Sequence, residues 1–197
     1  LLFCLSAFAE DYERHVFKDK SGELPYRTLK PAKLLKGKKY PLILFLHGAG
    51  ERGNDNKRQL NWGSKDVLRQ SQKNPCFAIF PQCPKGKRWV EVHWGLKSHT
   101  MPKTPSTQMQ QVYNVLDKFI KNNAVDTSRI YIIGLSMGGF GTWDVISRRP
   151  KFFAAAVPIC GGGDTLQAAQ LVDLPIWCFH GDKDRAVLTQ RSRDMVE

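Results

Sequence analysis

Apolar positions along this chain change period in a regular order. From Tyr12 to Pro31 the residues of YERHVFKD and ELPYRTLKP alternate around Ser21-Gly22, which predicts a leading β-hairpin. The run from Tyr40 to Leu46 is almost continuously apolar and ends in His47-Gly48, as a central strand buried on both faces requires. A polar loop follows, then a strand over Cys76–Pro81 and a loop rich in Pro and Lys. Helical spacing of Val112, Val115, Leu116, Phe119 and Ile120 predicts a helix over 107–122. Residues 129–133 read as another buried strand, followed by a helix that stops at Arg149-Pro150. Two more apolar strands are expected at 154–160 and 174–180, with a short helix between Thr165 and Val172 and a further helix beginning near Thr189. Strands alternating with helices imply an α/β fold with a mostly parallel sheet and right-handed crossovers. In such sheets functional groups gather at the carboxyl ends of the strands, and His47-Gly48, Ser136, Cys160-Gly161 and His180-Gly181-Asp182 all end strands.

Composition narrows the class without naming a chemistry. The 197 residues suffice for one domain with a sizeable core, and 42% apolar content is ordinary for a globular chain. Lys and Arg outnumber Asp and Glu by 30 to 18, giving a net charge of +12. The basic residues are scattered in short loop clusters, 36–39 and 85–88, with no nucleic-acid motif among them, so no nucleic-acid partner is expected. Residues 1–9 read as the remnant of a secretory signal, apolar and ending Ala7-Phe8-Ala9, with the mature domain running over 10–197 and export as the expected location. No segment is long enough for a membrane span. The first residue is not methionine and no basic segment precedes the apolar stretch, so the true start is expected upstream. After cleavage Cys76, Cys83, Cys160 and Cys178 remain, and no bridge among them is predicted.

The densest chemical signal is GLSMGGFGTWD at 134–144, which places Ser136 at a strand-to-helix turn in the G-x-S-x-G pattern. Glycines there let the backbone bend sharply, so that the serine Oγ projects upward while backbone N–H groups stay free for an oxyanion. A serine hydroxyl is a poor nucleophile near neutrality and needs a base, an orienting carboxylate and oxyanion donors. The donors expected are the backbone N–H of Met137 and that of Ala49, in the glycine-rich loop after an earlier strand. Residues 48–53 also spell a literal G-x-G-x-x-G. A dinucleotide site would need an apolar helix directly after it and an acidic residue ending the next strand; 54–58 are polar and the next strand ends Phe80-Pro81-Gln82. The carboxylate is assigned to Asp184, with Asp182 as competitor and a pair of solvated loop acids as the plain alternative.

Taken in order, LHGAGERG at 46–53, PQCP at 81–84, GLSMGGFGTWD at 134–144, FAAAVPICGGGD at 153–164 and PIWCFHGDKD at 175–184 resemble an α/β-hydrolase. The group is that of bacterial exported esterases and predicted peptidases related to polyhydroxybutyrate depolymerases, feruloyl esterases and dienelactone hydrolases. The resemblance runs from about Tyr26 to Glu197. It implies helices on both faces of the sheet and ester hydrolysis through an acyl-serine intermediate. Ser136 would be the nucleophile and Asp184 the triad acid, with no metal or organic cofactor and a small-molecule or polysaccharide-linked ester as substrate. Such proteins carry the catalytic histidine on a loop after a further strand. No histidine follows His180 here, and the chain is expected to lack the C-terminal strand and histidine loop, leaving it inactive as it stands. None of His15, His47, His93, His99 and His180 is expected to act as the base. A serine peptidase of the prolyl oligopeptidase type is the close alternative, and a non-catalytic binding protein on the same fold is the reading from another class. Trp62, Trp89 and Trp94 are open between a binding cleft and packing, and Trp143 is expected in the core.

Overall fold

The computed structural model describes residues 11–197; the predicted leader, residues 1–9 with Cys4, lies outside the described residues. The elements are β1 (Glu13–Asp19), β2 (Gly22–Leu29), β3 (Tyr40–Leu46), α1 (Ser64–Lys73), β4 (Phe77–Pro81), α2 (Thr107–Asn122), β5 (Val125–Leu135), α3 (Met137–Arg148), β6 (Ala155–Ile159) and α4 (Gln190–Arg193). They form one six-stranded sheet in the order β1-β2-β4-β3-β5-β6. The hairpin β1-β2 is antiparallel and joins β4 antiparallel, whereas β3-β4, β3-β5 and β5-β6 are parallel.

Side chains on β3 show why the sheet is covered on both faces. Leu42, Leu44 and Leu46 point into the larger core beneath α2 and α3, together with Ile130 and Ile132 of β5. Ile43 and Phe45 point the other way, into a smaller cluster with Val67 and Leu68 of α1 and with Phe80. The period of two along one strand therefore serves two hydrophobic layers. Helix α2 begins where Ser106 caps it, its side chain accepting from the Met109 N–H at 3.2 Å.

Four sequence expectations are corrected or refined. The loop after Gly48 contains helix α1, whose buried residues are only Ser64, Val67 and Leu68; one short apolar contact leaves too weak a period to read. The segment between Thr165 and Leu171 is a 3-10 helix. The predicted strand at 174–180 is joined to β6 by bridges at Ile176 and Phe179 and is not a regular strand. Its Trp177 and Phe179 are 70% and 42% exposed, so this edge buries little apolar surface beyond its contact with β6. The helix expected near Thr189 is the single turn α4.

From β3 the chain passes to α1 on one face, and from β5 it passes to α3 on the other, although β3 and β5 are neighbours. The order therefore switches direction between these two strands, and the loop beginning at His47 and the turn at Ser136 lie together at their carboxyl ends, where such folds place functional groups.

Candidate active site

Ser136 follows the last residue of β5 and immediately precedes α3, with φ 54° and ψ −113°. A non-glycine residue at positive φ stores on the order of 1–3 kcal/mol of strain and persists only where its surroundings enforce it. Here α3 enforces it by lying directly on β3, since a Cβ at Gly138 would collide with the carbonyl of Leu46. The turn is tied to β6 by the Ser136 N–H donating to Ile159 O at 2.8 Å. The serine side chain makes no capping bond to α3, which leaves its hydroxyl available. Beside it, Cys160 also has positive φ, 42°, and burial holds its thiol above the usual value, so it remains protonated.

Gly48 brings the neighbouring loop against this turn: a Cβ there would lie 3.7 Å from Ser136 Cβ. Ala49 opens a 3-10 turn over Ala49–Glu51, and Met137 is the first residue of α3. Ala49 thus lies in the turn that Gly48 brings against Ser136, and Met137 directly follows Ser136 at the start of α3. The loop is held from behind by PQCP. Gln82, fully buried, donates to Glu51 O at 3.1 Å and Asp55 Oδ1 at 2.9 Å and accepts from Asn56 N–H at 2.7 Å. The Cys83 N–H donates to His47 Nε2 at 2.9 Å.

That bond fixes the tautomer of His47. With Nε2 accepting, Nδ1 carries the proton and donates to Gly48 O at 2.6 Å. Burial lowers the His47 pKa to about 4. His99 packs against Phe140 of α3, and its Nδ1 accepts from the guanidinium of Arg191; burial, followed by the Arg191 charge, holds it at about 4 as well. Both nitrogens of His180 are engaged, Nε2 with Val187 O at 2.9 Å and Nδ1 with Ser192 Oγ at 2.7 Å. His15 bonds Thr28 within the hairpin at 2.8 Å. His93 is exposed, and its Nδ1 accepts from Gly95 N–H at 3.2 Å. Among the described residues, none of the five makes a hydrogen bond to the Ser136 hydroxyl.

The two loop acids separate by environment. Asp182 is 81% exposed at its side chain and pairs with Arg193 at 3.1 Å on the surface. Asp184 is half-buried; its Oδ1 accepts from Val187 N–H at 3.0 Å and Ala186 N–H at 2.8 Å, and Oδ2 lies 3.5 Å from His180 Nε2. The Val187 N–H above all, with Ala186 N–H and His180 assisting, holds the Asp184 carboxyl below its ordinary value. Sequence reading did not find Glu51, which is buried beside Gly48 and accepts from the indole N–H of Trp62 at 3.2 Å. Trp89 and Trp143 are both fully buried, the former donating to His47 O at 3.0 Å. All four described cysteines are free. Among the described residues no three His, Cys, Asp or Glu side chains are grouped to hold a metal, and no helix is long and apolar enough to cross a membrane.

Residues 94–195 match the prolyl oligopeptidase family, and the chain belongs to it. A solved thermostable esterase is 40% identical and superposes with a TM-score of 0.88 over 96% of this chain and 52% of its own. A bifunctional acetylxylan esterase/xylanase of Neocallimastix patriciarum is 29% identical over 145 residues, 73% of this chain and 19% of that one. Poly(3-hydroxyalkanoate) depolymerase C of Paucimonas lemoignei is 39% identical over 122 residues, 62% of this chain and 28% of that one. The chain thus spans less than a third of these curated relatives and about half of the solved esterase. The fold is that of the α/β-hydrolases.

Two consequences are measurable. Gly138→Ala is expected to destabilise the fold by about 3 kcal/mol or more in urea denaturation, while Gly181→Ala, where a Cβ meets nothing within 4 Å, stays within about 0.5 kcal/mol. The unfolded chain protonates His47 and His99 near pH 6.5, whereas the folded chain resists until about pH 4. Stability should therefore fall as the pH is lowered across that window and level off with respect to these groups below it. Thermal melts of a His47→Gln, His99→Gln variant should show a shallower slope there; an unchanged slope contradicts the assignment.

Proposed function

We propose that this chain carries the nucleophile and acid of a serine hydrolase that cleaves carboxylic esters through an acyl-serine intermediate. The observation that carries the reading is Ser136 itself, held at positive φ between β5 and α3 with a hydroxyl that makes no capping bond to the helix. Ser136 Oγ attacks the ester carbonyl, and the N–H groups of Ala49 and Met137 receive the developing oxyanion. Fixed backbone donors of this kind are each worth on the order of 3 kcal/mol, because they need no reorganisation as charge develops. Asp184, ionised and aimed by the N–H groups of Ala186 and Val187, orients the imidazole that takes the serine proton. That imidazole comes from outside the described residues, given the engagements of His15, His47, His99 and His180 and the surface position of His93. Water then attacks the acyl-enzyme with the same base assisting. No step calls for a metal or an organic cofactor.

The ester reading draws support from the 40% identity to a thermostable esterase and from relatives named as an acetylxylan esterase and a polyester depolymerase. A small-molecule or polysaccharide-linked ester is the substrate class, and export to the periplasm or the exterior is the matching location. Membership of the prolyl oligopeptidase family favours a second reading, amide cleavage by the same triad.

The product of the full gene, assayed with p-nitrophenyl acetate and with a matched p-nitroanilide, separates these. The expected result is ester turnover that drops about ten-thousandfold or more in Ser136→Ala and by a comparable factor in Asp184→Asn. Comparable kcat/KM on the anilide would favour the peptidase. Undiminished turnover by Ser136→Ala would overturn both.

A further inference from the structure

Beyond Ala49, the loop that borders Ser136 continues into a surface whose charge is unbalanced. Arg52 folds back so that its Nε donates to Ala49 O at 2.8 Å, and its Nη1 reaches Lys87 O at 3.3 Å. This joins the Ala49–Gly53 turn to a second turn, closed by Lys87 N–H donating to Pro84 O, which presents Lys85 and Lys87 to solvent. Arg88 follows. The guanidinium carbons of Arg52 and Arg88 lie 5.9 Å and 4.7 Å from the ring centre of the same half-buried indole, Trp94. Trp62, 60% exposed, stands beside this turn on its hydrogen bond to Glu51.

Seven other surface cations, Lys18, Lys30, Arg58, Arg69, Arg129, Arg149 and Arg193, each sit within 4 Å of a carboxylate. None of Arg52, Lys85, Lys87 and Arg88 takes part in an ion pair among the described residues. The nearby carboxylates are turned elsewhere, Glu51 to Trp62 and Glu91 to Gln108. Two guanidinium groups near one indole with no ion-pair partner repel each other, and an anion bound beside them relieves the repulsion. Arginine suits a carboxylate there, because its planar fork meets two oxygens at once. The exposed ring of Trp62 adds a second criterion, since a flat apolar surface packs against the C–H face of a pyranose ring.

We infer that Arg52, Arg88, Lys85 and Lys87, with Trp62 and Trp94, form a subsite for an acidic glycan, a polysaccharide bearing uronic acid carboxylates, beside the bond that Ser136 cleaves. The identity of the polymer rests on the esterase reading above; the preference for negative charge rests on the cluster alone.

The test is binding, which needs no turnover. Isothermal titration of the full gene product, and of this chain, uses xylotetraose with and without one glucuronic acid branch, and an oligothymidylate. The acidic sugar is expected to bind about tenfold or more tightly than the neutral one, the gap a single well-formed ion pair supplies, and to lose that advantage at high salt. Arg88→Gln and Lys87→Gln should each narrow the gap, and Arg52→Gln with Arg88→Gln should abolish it. Circular dichroism confirms that each variant is folded, and the two single variants keep the test open where the double is not. Equal affinity for both sugars, a gap unchanged by the substitutions, or an oligothymidylate that binds as tightly as the acidic sugar would overturn the inference. Because the readout is affinity, its failure leaves Ser136 chemistry standing, and loss of that chemistry leaves a measured charge preference intact.

Discussion

The contact between Gly138 and the Leu46 carbonyl is the constraint on which the rest of the site depends. Helix α3 must lie against β3, its neighbour's strand, for the large core of Leu44, Leu46, Ile132, Phe140 and Trp143 to close. A chain leaving β5 reaches that position only by turning sharply within one residue. Ser136 is that residue, and its positive φ is the cost of the packing. The same turn lifts its side chain clear of hydrogen-bond partners in the helix it begins. Core packing and a hydroxyl that makes no bond to its helix are thus two results of one backbone geometry.

Around this turn the supporting loops are fixed by polar groups that are themselves fully used. His47 spends one nitrogen on Cys83 and the other on Gly48, and Gln82 bridges Glu51, Asp55 and Asn56. Buried polar groups satisfied in this way make the loop rigid, because every alternative position leaves a donor or acceptor unpaired. Rigidity matters for a loop expected to present an oxyanion donor, whose value lies in being aimed before charge appears. On the other side of Ser136, Asp184 is aimed by the backbone of its own loop, and His180 ties that loop to Ser192.

Legibility in the sequence followed the strength of local signals. Helix α2 matches its predicted bounds of 107–122 because a long apolar stripe and a serine cap both mark it. Strand β5 and Ser136 were readable because a β-branched run ends in glycines that only a tight turn explains. Helix α1 was not, since its contact with the core is limited to Val67 and Leu68 amid polar residues. At 174–180 the residues are those of a strand, but pairing depends on neighbours that no local pattern reports. Asp184 and Asp182 are two positions apart, and no local pattern reports that Asp182 pairs with Arg193 while Asp184 accepts from the Ala186 and Val187 N–H groups. The Glu51–Trp62 bond and the approach of Arg52 and Arg88 to Trp94 join residues 6 to 42 apart with no shared motif, so sequence could offer the residue types but not their meeting.

The central claim, that this turn makes Ser136 a nucleophile, is tested most directly by labelling the full gene product with a fluorophosphonate and locating the adduct by peptide mass spectrometry. The account predicts one adduct, on Ser136, absent from Ser136→Ala. A folded protein that takes no label, or takes it on another residue, would contradict it.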